Sequence, residues 1–263
     1  MRPIFHILFL TFLPLSVFAL NIYPINAVGE VIVNDNYSSY IASSGAFHVV
    51  GEVENIGDTN VEEIYIKVTY YDADDRSIGS QTSSSLQNLL LPGMKSPFDV
   101  ILTGSSVGQV DSYELEVSFI ETDKVLNRTL VVLSDSFFSN ITGKFYVFAE
   151  VKNNGTEISN ATNVIATFYD SSGIVVATGE SMGCEESVRA LNLNPGQTES
   201  FPIIIKQPQS TKIASYEVIA VSNEAIIIPE FKYTLMILLV GCLFVFAVSR
   251  MKKDSSNSII RTQ

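Results

Sequence analysis

Three aspartates follow two tyrosines in VTYYDADD, residues 68–75. Clustered carboxylates are what a hard cation such as Ca²⁺ takes, so Asp72, Asp74 and Asp75 are the sharpest metal candidates in the chain. A calcium loop also needs further oxygens from a defined turn, such as the glycine and distal glutamate of an EF-hand, and DADDRSIG supplies neither. A second stretch 98 residues on, ATFYDSSG at 166–173, provides a control. It keeps Tyr169, Asp170 and a turn but lacks the two extra carboxylates. What the copies share therefore serves the fold: Tyr71 and Tyr169 close a strand, and Asp72 and Asp170 accept backbone N–H bonds in the turn that follows. No metal is expected here, with Asp72, Asp74 and Asp75 the residual cation site.

Catalytic alternatives are narrow. The chain has two histidines, His6 and His48. A Ser-His-Asp arrangement is formally possible around His48, but no nucleophile-elbow signature occurs, and the equivalent position in the second stretch is Tyr146. One histidine cannot build a cupredoxin-like copper centre. No glycine-rich phosphate loop, zinc spacing or dinucleotide fingerprint is present. The chain is therefore read as non-enzymatic and without a cofactor. Cys184, in MGCEES, is a possible free thiol, because it cannot pair with the other cysteine, Cys242, which lies in an apolar run.

The elements that position these residues begin with the two ends. Residues 1–19, MRPIFHILFLTFLPLSVFA, carry one early charge, an apolar stretch and small residues at Val17 and Ala19, the layout of a secretory signal peptide. Residues 233–249 are uncharged and bracketed by Lys232 and Arg250. At about 1.5 Å per residue they just span a bilayer core with snorkelling cations at each end. Residues 250–263 form a basic tail, which belongs on the cytoplasmic side. The expectation is a single-pass cell-membrane protein with an extracellular ectodomain. Between Leu20 and Lys232, 27 Asp plus Glu face 11 Lys plus Arg, a formal charge of −16, which disfavours nucleic acid as a partner.

The ectodomain reads as a duplication. Residues 47–72 overlie 145–170 at an offset of 98, with nine of 26 positions identical. Pro92, Gly93 and Phe98 then match Pro195, Gly196 and Phe201 at an offset of 103, as do Ser112, Tyr113 and Glu114 with Ser215, Tyr216 and Glu217. The five-residue insertion falls near Cys184. Period-two alternation, as in Phe47, Val49, Gly51 and Val53 against His48, Val50, Glu52 and Glu54, predicts half-buried strands. Asn55 with Gly57, Asn153 with Gly155 and the two Pro-Gly pairs predict the turns between them. The fold class expected is all-β: two tandem immunoglobulin-like antiparallel sandwiches, at 28–134 and 135–225.

The order F-x-V-x-G-E-V-x-N-x-G, then T-Y-Y-D or T-F-Y-D, then P-G and a phenylalanine resembles the FxLYD-type domain. That resemblance covers both copies and implies small extracytoplasmic β-sandwiches with no catalytic residues to carry over. Asp75 stands where the usual turn glycine would sit, whereas Gly173 keeps it. Pro229-Glu230-Phe231, ahead of the apolar run and basic cluster, resembles the PEF-type C-terminal sorting signal of archaeal surface proteins, and implies a sorting enzyme acting there. Candidate glycosylation sites are Asn36, Asn127, Asn140, Asn154 and Asn160. The function these readings converge on is presentation of two interaction modules, for envelope assembly or adhesion with envelope proteins or glycans as partners. A purely structural spacer is the alternative and an enzyme the remote one.

Overall fold

Alternating apolar residues with turn chemistry between them give seventeen strands in the computed structural model, which describes residues 29–126, 129–181, 191–206, 208–222 and 225–227. The signal peptide, Asn127, the loop carrying Cys184, the Pro-Glu-Phe motif, the apolar run and the basic tail lie outside these residues. The described residues are all-β, with several antiparallel sheets and two short 3₁₀ turns. None of their helices is long and apolar enough to cross a membrane.

Two hydrophobic cores organise the strands. In the first half, β1 (Val31–Val33), β2 (Ser38–Ile41), β3 (Phe47–Asn55) and β7 (Lys95–Leu102) form one sheet. It faces a second sheet of β4 (Val61–Tyr71), β5 (Ser77–Ser84), β6 (Leu89–Leu90) and β8 (Ser112–Glu121). Val49, Val53, Ile66, Val68, Tyr70, Phe98 and Val100 fill the space between them. The second half repeats the plan. β10 (Leu130–Ser139), β11 (Phe145–Asn153) and β15 (Thr198–Ile205) face β12 (Ser159–Tyr169), β13 (Val175–Glu180), β14 (Leu191–Leu193) and β16 (Ser215–Val221). There the core is Val147, Val151, Val164, Ala166, Phe168, Phe201 and Ile203, the residues that the two offsets align with those of the first. Burying a full valine, leucine or phenylalanine side chain is worth about 1.5–3 kcal/mol, so each set can hold its own pair of sheets together.

The halves differ at one strand. β1 and β2 both pair with β3, separated by a break at Asn34–Tyr37, whereas β10 runs the whole length of β11 and absorbs the mismatch as a bulge at Leu133. β10 also runs unbroken across Ser134 and Asp135, where the sequence reading divided the halves. A short β9 (Lys124–Leu126) and β17 (Ala225–Ile227) pair with each other beside the joint. Both long strands β4 and β12 carry a bulge with a left-handed residue at the same place, Glu63 (φ 53°) and Ala161 (φ 50°).

The strand ends are tied by a buried asparagine. Asn55 Nδ2 donates to the carbonyls of Thr59 (2.8 Å) and Leu90 (3.0 Å), while its Oδ1 accepts from Gly57 N–H (3.1 Å). Asn153 does the same with Glu157 (2.8 Å), Leu193 (2.8 Å) and Gly155 (2.9 Å). Their backbones clasp the Pro-Gly turns: Asn55 bonds Met94 and Gly93, and Asn153 bonds Gln197 and Gly196. Each side chain is fully buried and joins its own turn to a strand 35 or 40 residues away. Asn153→Ala would strand two carbonyls and one N–H, and is expected to cost about 2–4 kcal/mol. Urea denaturation followed by tyrosine fluorescence measures this; a loss under about 0.5 kcal/mol would show that the clasp is dispensable.

Candidate functional site

The Tyr-Asp stretch lies at the β4–β5 hairpin, and the carboxylates of Asp72 and Asp74 are engaged by the chain itself. Asp72 Oδ1 accepts N–H bonds from Asp74 and Arg76, both 2.9 Å, and these bonds hold its carboxyl below the usual carboxylate range. Asp74 pairs with the Arg76 guanidinium. Asp75 supplies the left-handed residue of the turn, φ 58°, where Gly173 has φ 82°. Asp170 repeats the pattern with Ser172 (2.8 Å) and Ile174 (3.1 Å). Among the described residues no group of three or more His, Cys, Asp or Glu side chains comes together as a metal site, so Asp72, Asp74 and Asp75 do not converge.

His48 lies on β3, with Nδ1 2.9 Å from Oδ2 of Asp99 on β7 and its ring stacked on Tyr40 at 4.7 Å. Its side chain is only 14% exposed and is held in a small polar cluster. Asp99 went unrecognised because its place opposite Val50, diagonal to His48, follows from the β3–β7 register rather than from sequence proximity. No hydroxyl engages the other ring nitrogen among the described residues. In the second half Tyr146 and Pro202 replace the pair, and Tyr146 stacks on Phe138 at the same 4.7 Å.

A further polar arrangement joins the two halves. Strand alternation sends Val50 and Glu52 away from their own core, yet both are buried, Glu52 to 3% exposure. β3 is therefore covered on both faces, where alternation predicts one. The cover is β13 and the end of β12. Tyr169 O–H donates to Glu52 Oε1 (2.7 Å) and Asn36 Nδ2 donates to Oε2 (3.2 Å). Val175 N–H donates to the Asn36 carbonyl (2.8 Å), and Ser38 Oγ donates to the Val175 carbonyl. A carboxylate removed from water is costly unless hydrogen-bonded, and here two neutral donors from opposite sides of the joint offset that cost. Tyr71, the equivalent of Tyr169, instead reaches Glu114 within its own half (3.0 Å).

The sequons occupy different settings. Asn36 is engaged in the joint. Asn140 caps the β10–β11 hairpin, accepting from Thr142 and Lys144 N–H and donating to the Tyr146 hydroxyl (3.3 Å). Asn154 and Asn160 are exposed. Beside the joint lies a cleft of about 290 Å³, largely apolar, between Met94 and Leu126 of one half and Leu130, Val132 and Val218 of the other.

No family model matches the chain, and neither does any curated protein. Among solved structures, the exo-chitosanase CsxA of Amycolatopsis orientalis is 12% identical over 74% of this chain, with a TM-score of 0.26. A β-glucuronidase of glycoside hydrolase family 2 is 11% identical over 67%, with a TM-score of 0.25. The chain spans about a quarter of the length of those proteins, 26% and 24%. Likeness at that level carries no argument about fold or activity.

Two outcomes test the site. Asp75→Gly should relieve the left-handed backbone and stabilise the chain by about 0.5–1 kcal/mol, with calcium leaving the melting temperature of both forms unchanged. A calcium-induced rise lost in the variant would instead make Asp75 a ligand. Tyrosine ionisation tests the buried hydroxyls. Burial pushes Tyr70 up to about 12, and burial plus Glu52 raises Tyr169 further. Because the folded values lie above the unfolded value of about 10, the stabilisation is complete below pH 10 and lost as pH rises beyond it. Tyrosinate absorbance should therefore show a late step coincident with unfolding; a single titration of all tyrosines near pH 10 would contradict this burial.

Proposed function

We propose that this chain is a non-enzymatic, membrane-anchored cell-surface protein that presents two FxLYD-type, immunoglobulin-like β-sandwich modules for envelope assembly or adhesion. The observation that carries the reading is the outer face of β10, β11 and β15. Phe138, Tyr146 and Phe148 stack there in one row of near-parallel rings, with Phe138 48% and Ile204 44% exposed. Contiguous exposed aromatic and aliphatic residues on a sheet face are typical of an interaction surface, and they are supplied by strands that their own core already fixes. The anchor comes from the sequence, through residues 1–19, 229–231 and 233–263, and glycan at Asn154 or Asn160 suits the exposure of both.

One observation favours a spacer as the second reading. Glu52, Tyr169 and Asn36 fasten the halves into one body, and a body that does not bend suits holding something at a fixed distance. Experiment separates the readings. Protease added to intact cells is expected to degrade the described part of the chain; protection until lysis would remove the cell-surface assignment. Full-length chain solubilised from its membrane is then expected to retain an envelope protein or glycan, and Phe148→Asp to lose it. Equal retention by the variant would favour the spacer.

A further inference from the structure

The contact that joins the halves within one chain uses a surface that exists twice. In the first half it consists of Val50, Glu52 and Pro97 on the outer face of β3 and β7, all buried under the second half. The equivalents on β11 and β15 are Phe148, Glu150 and Ser200; Phe148 is partly exposed and the other two are exposed. Glu150 is prepared in the same way as Glu52. Ser134, at the position of Asn36, donates to Glu150 Oε2 at 2.9 Å, as Asn36 does to Glu52 Oε2 at 3.2 Å, and leaves the other carboxylate oxygen open where Glu52 receives Tyr169.

The complementary surface also exists twice. On β12, Ile165, Thr167 and Tyr169 alternate with the core residues Val164, Ala166 and Phe168, and Ile165 and Thr167 are buried although they lie outside that core. Their equivalents on β4 are Lys67, Thr69 and Tyr71, beside a β5 that is mostly exposed. Thr69 and Tyr71 repeat Thr167 and Tyr169. Lys67, 47% exposed and paired with Glu116 on β8 (2.8 Å), stands in place of Ile165 and would bring that ion pair towards the face that carries Glu150. Each chain thus has one used pair of surfaces, one acceptor with an open oxygen, and one donor face whose Tyr71 is held meanwhile by Glu114 of its own half.

We propose that the outer face of β10, β11 and β15 binds the β4–β5 hairpin of a second copy of this chain, repeating between molecules the contact made within one. Tyr71 of the incoming copy exchanges its bond to Glu114 for the free oxygen of Glu150, and its strand β5 lies along Ser134 and Ser136. A contact between two different surfaces does not close on itself, so its repetition yields an open row of molecules. The proposal rests on the interaction-module reading above and names its partner.

Cross-linking in the native membrane tests it. Ser136 is the equivalent of Ser38 and Ser77 that of Val175, which touch within one chain. In a full-length Cys184→Ser, Cys242→Ser background, Ser136→Cys and Ser77→Cys variants are co-expressed and treated with a short bismaleimide. A cross-linked dimer is expected only when both variants are present, and adding Phe148→Lys should lower its yield by about tenfold. A dimer of Ser136→Cys chains alone would show two such faces meeting each other, and no dimer would show that the face does not bind a second copy; either result overturns the proposal. Protease accessibility on the same cells reports surface location independently, so failure of self-assembly is distinguishable from failure of the cell-surface reading.

Discussion

Each half of the chain depends on one side chain whose hydrogen bonds could not be made by water. Asn55 and Asn153 are buried at the end of a central strand, where three backbone groups from the following turn and from β6 or β14 would otherwise lie unpaired. An amide is suited to this place because it offers two donors and an acceptor on a short stem. Aspartate would lack the donors, and serine, with a single O–H, would lack both the reach and a second donor. The sheets can face each other at this end because the asparagine satisfies what their packing removes from solvent.

From that constraint the architecture follows in a common register. The Pro-Gly turn is set against the asparagine backbone, β7 or β15 leaves it in step with β3 or β11, and Phe98 or Phe201 enters the core at the same level. Substitutions between the halves reach the cores, as where Tyr70 becomes Phe168, but those on the outer faces change the chemistry that each half presents. His48 and Asp99 in one half become Tyr146 and Pro202 in the other, and Lys67 becomes Ile165. Such changes alter what each half can touch without disturbing how it folds.

Much of this was legible in the chain, for identifiable reasons. Strands were visible because alternation is a local property, and the Asp72 and Asp170 turns because their bonds span only two to four residues. Asn55 and Asn153 could be read as turn residues, but their burial depends on a strand about 35 to 40 residues away. Their identity at an aligned position of both copies was the available signal. Glu52 and Glu150 are equally identical, and no local feature says that one is buried beneath another half of the molecule while the other is open. That difference arises from the joint, as does the divergent use of Tyr71 and Tyr169.

The pairing of β9 with β17 gives the molecule a mechanical character. The chain passes through the joint on β9, builds the whole second half, and returns on β17 to lie antiparallel to β9. Tension applied beyond residue 227 therefore reaches this ladder at the joint before it reaches the second core. Load passes to the first half through β9, which Lys124 ties to Glu62 on β4 (2.7 Å). The second half can thus stand beside the line of force, and its sheets need not part when the chain is pulled.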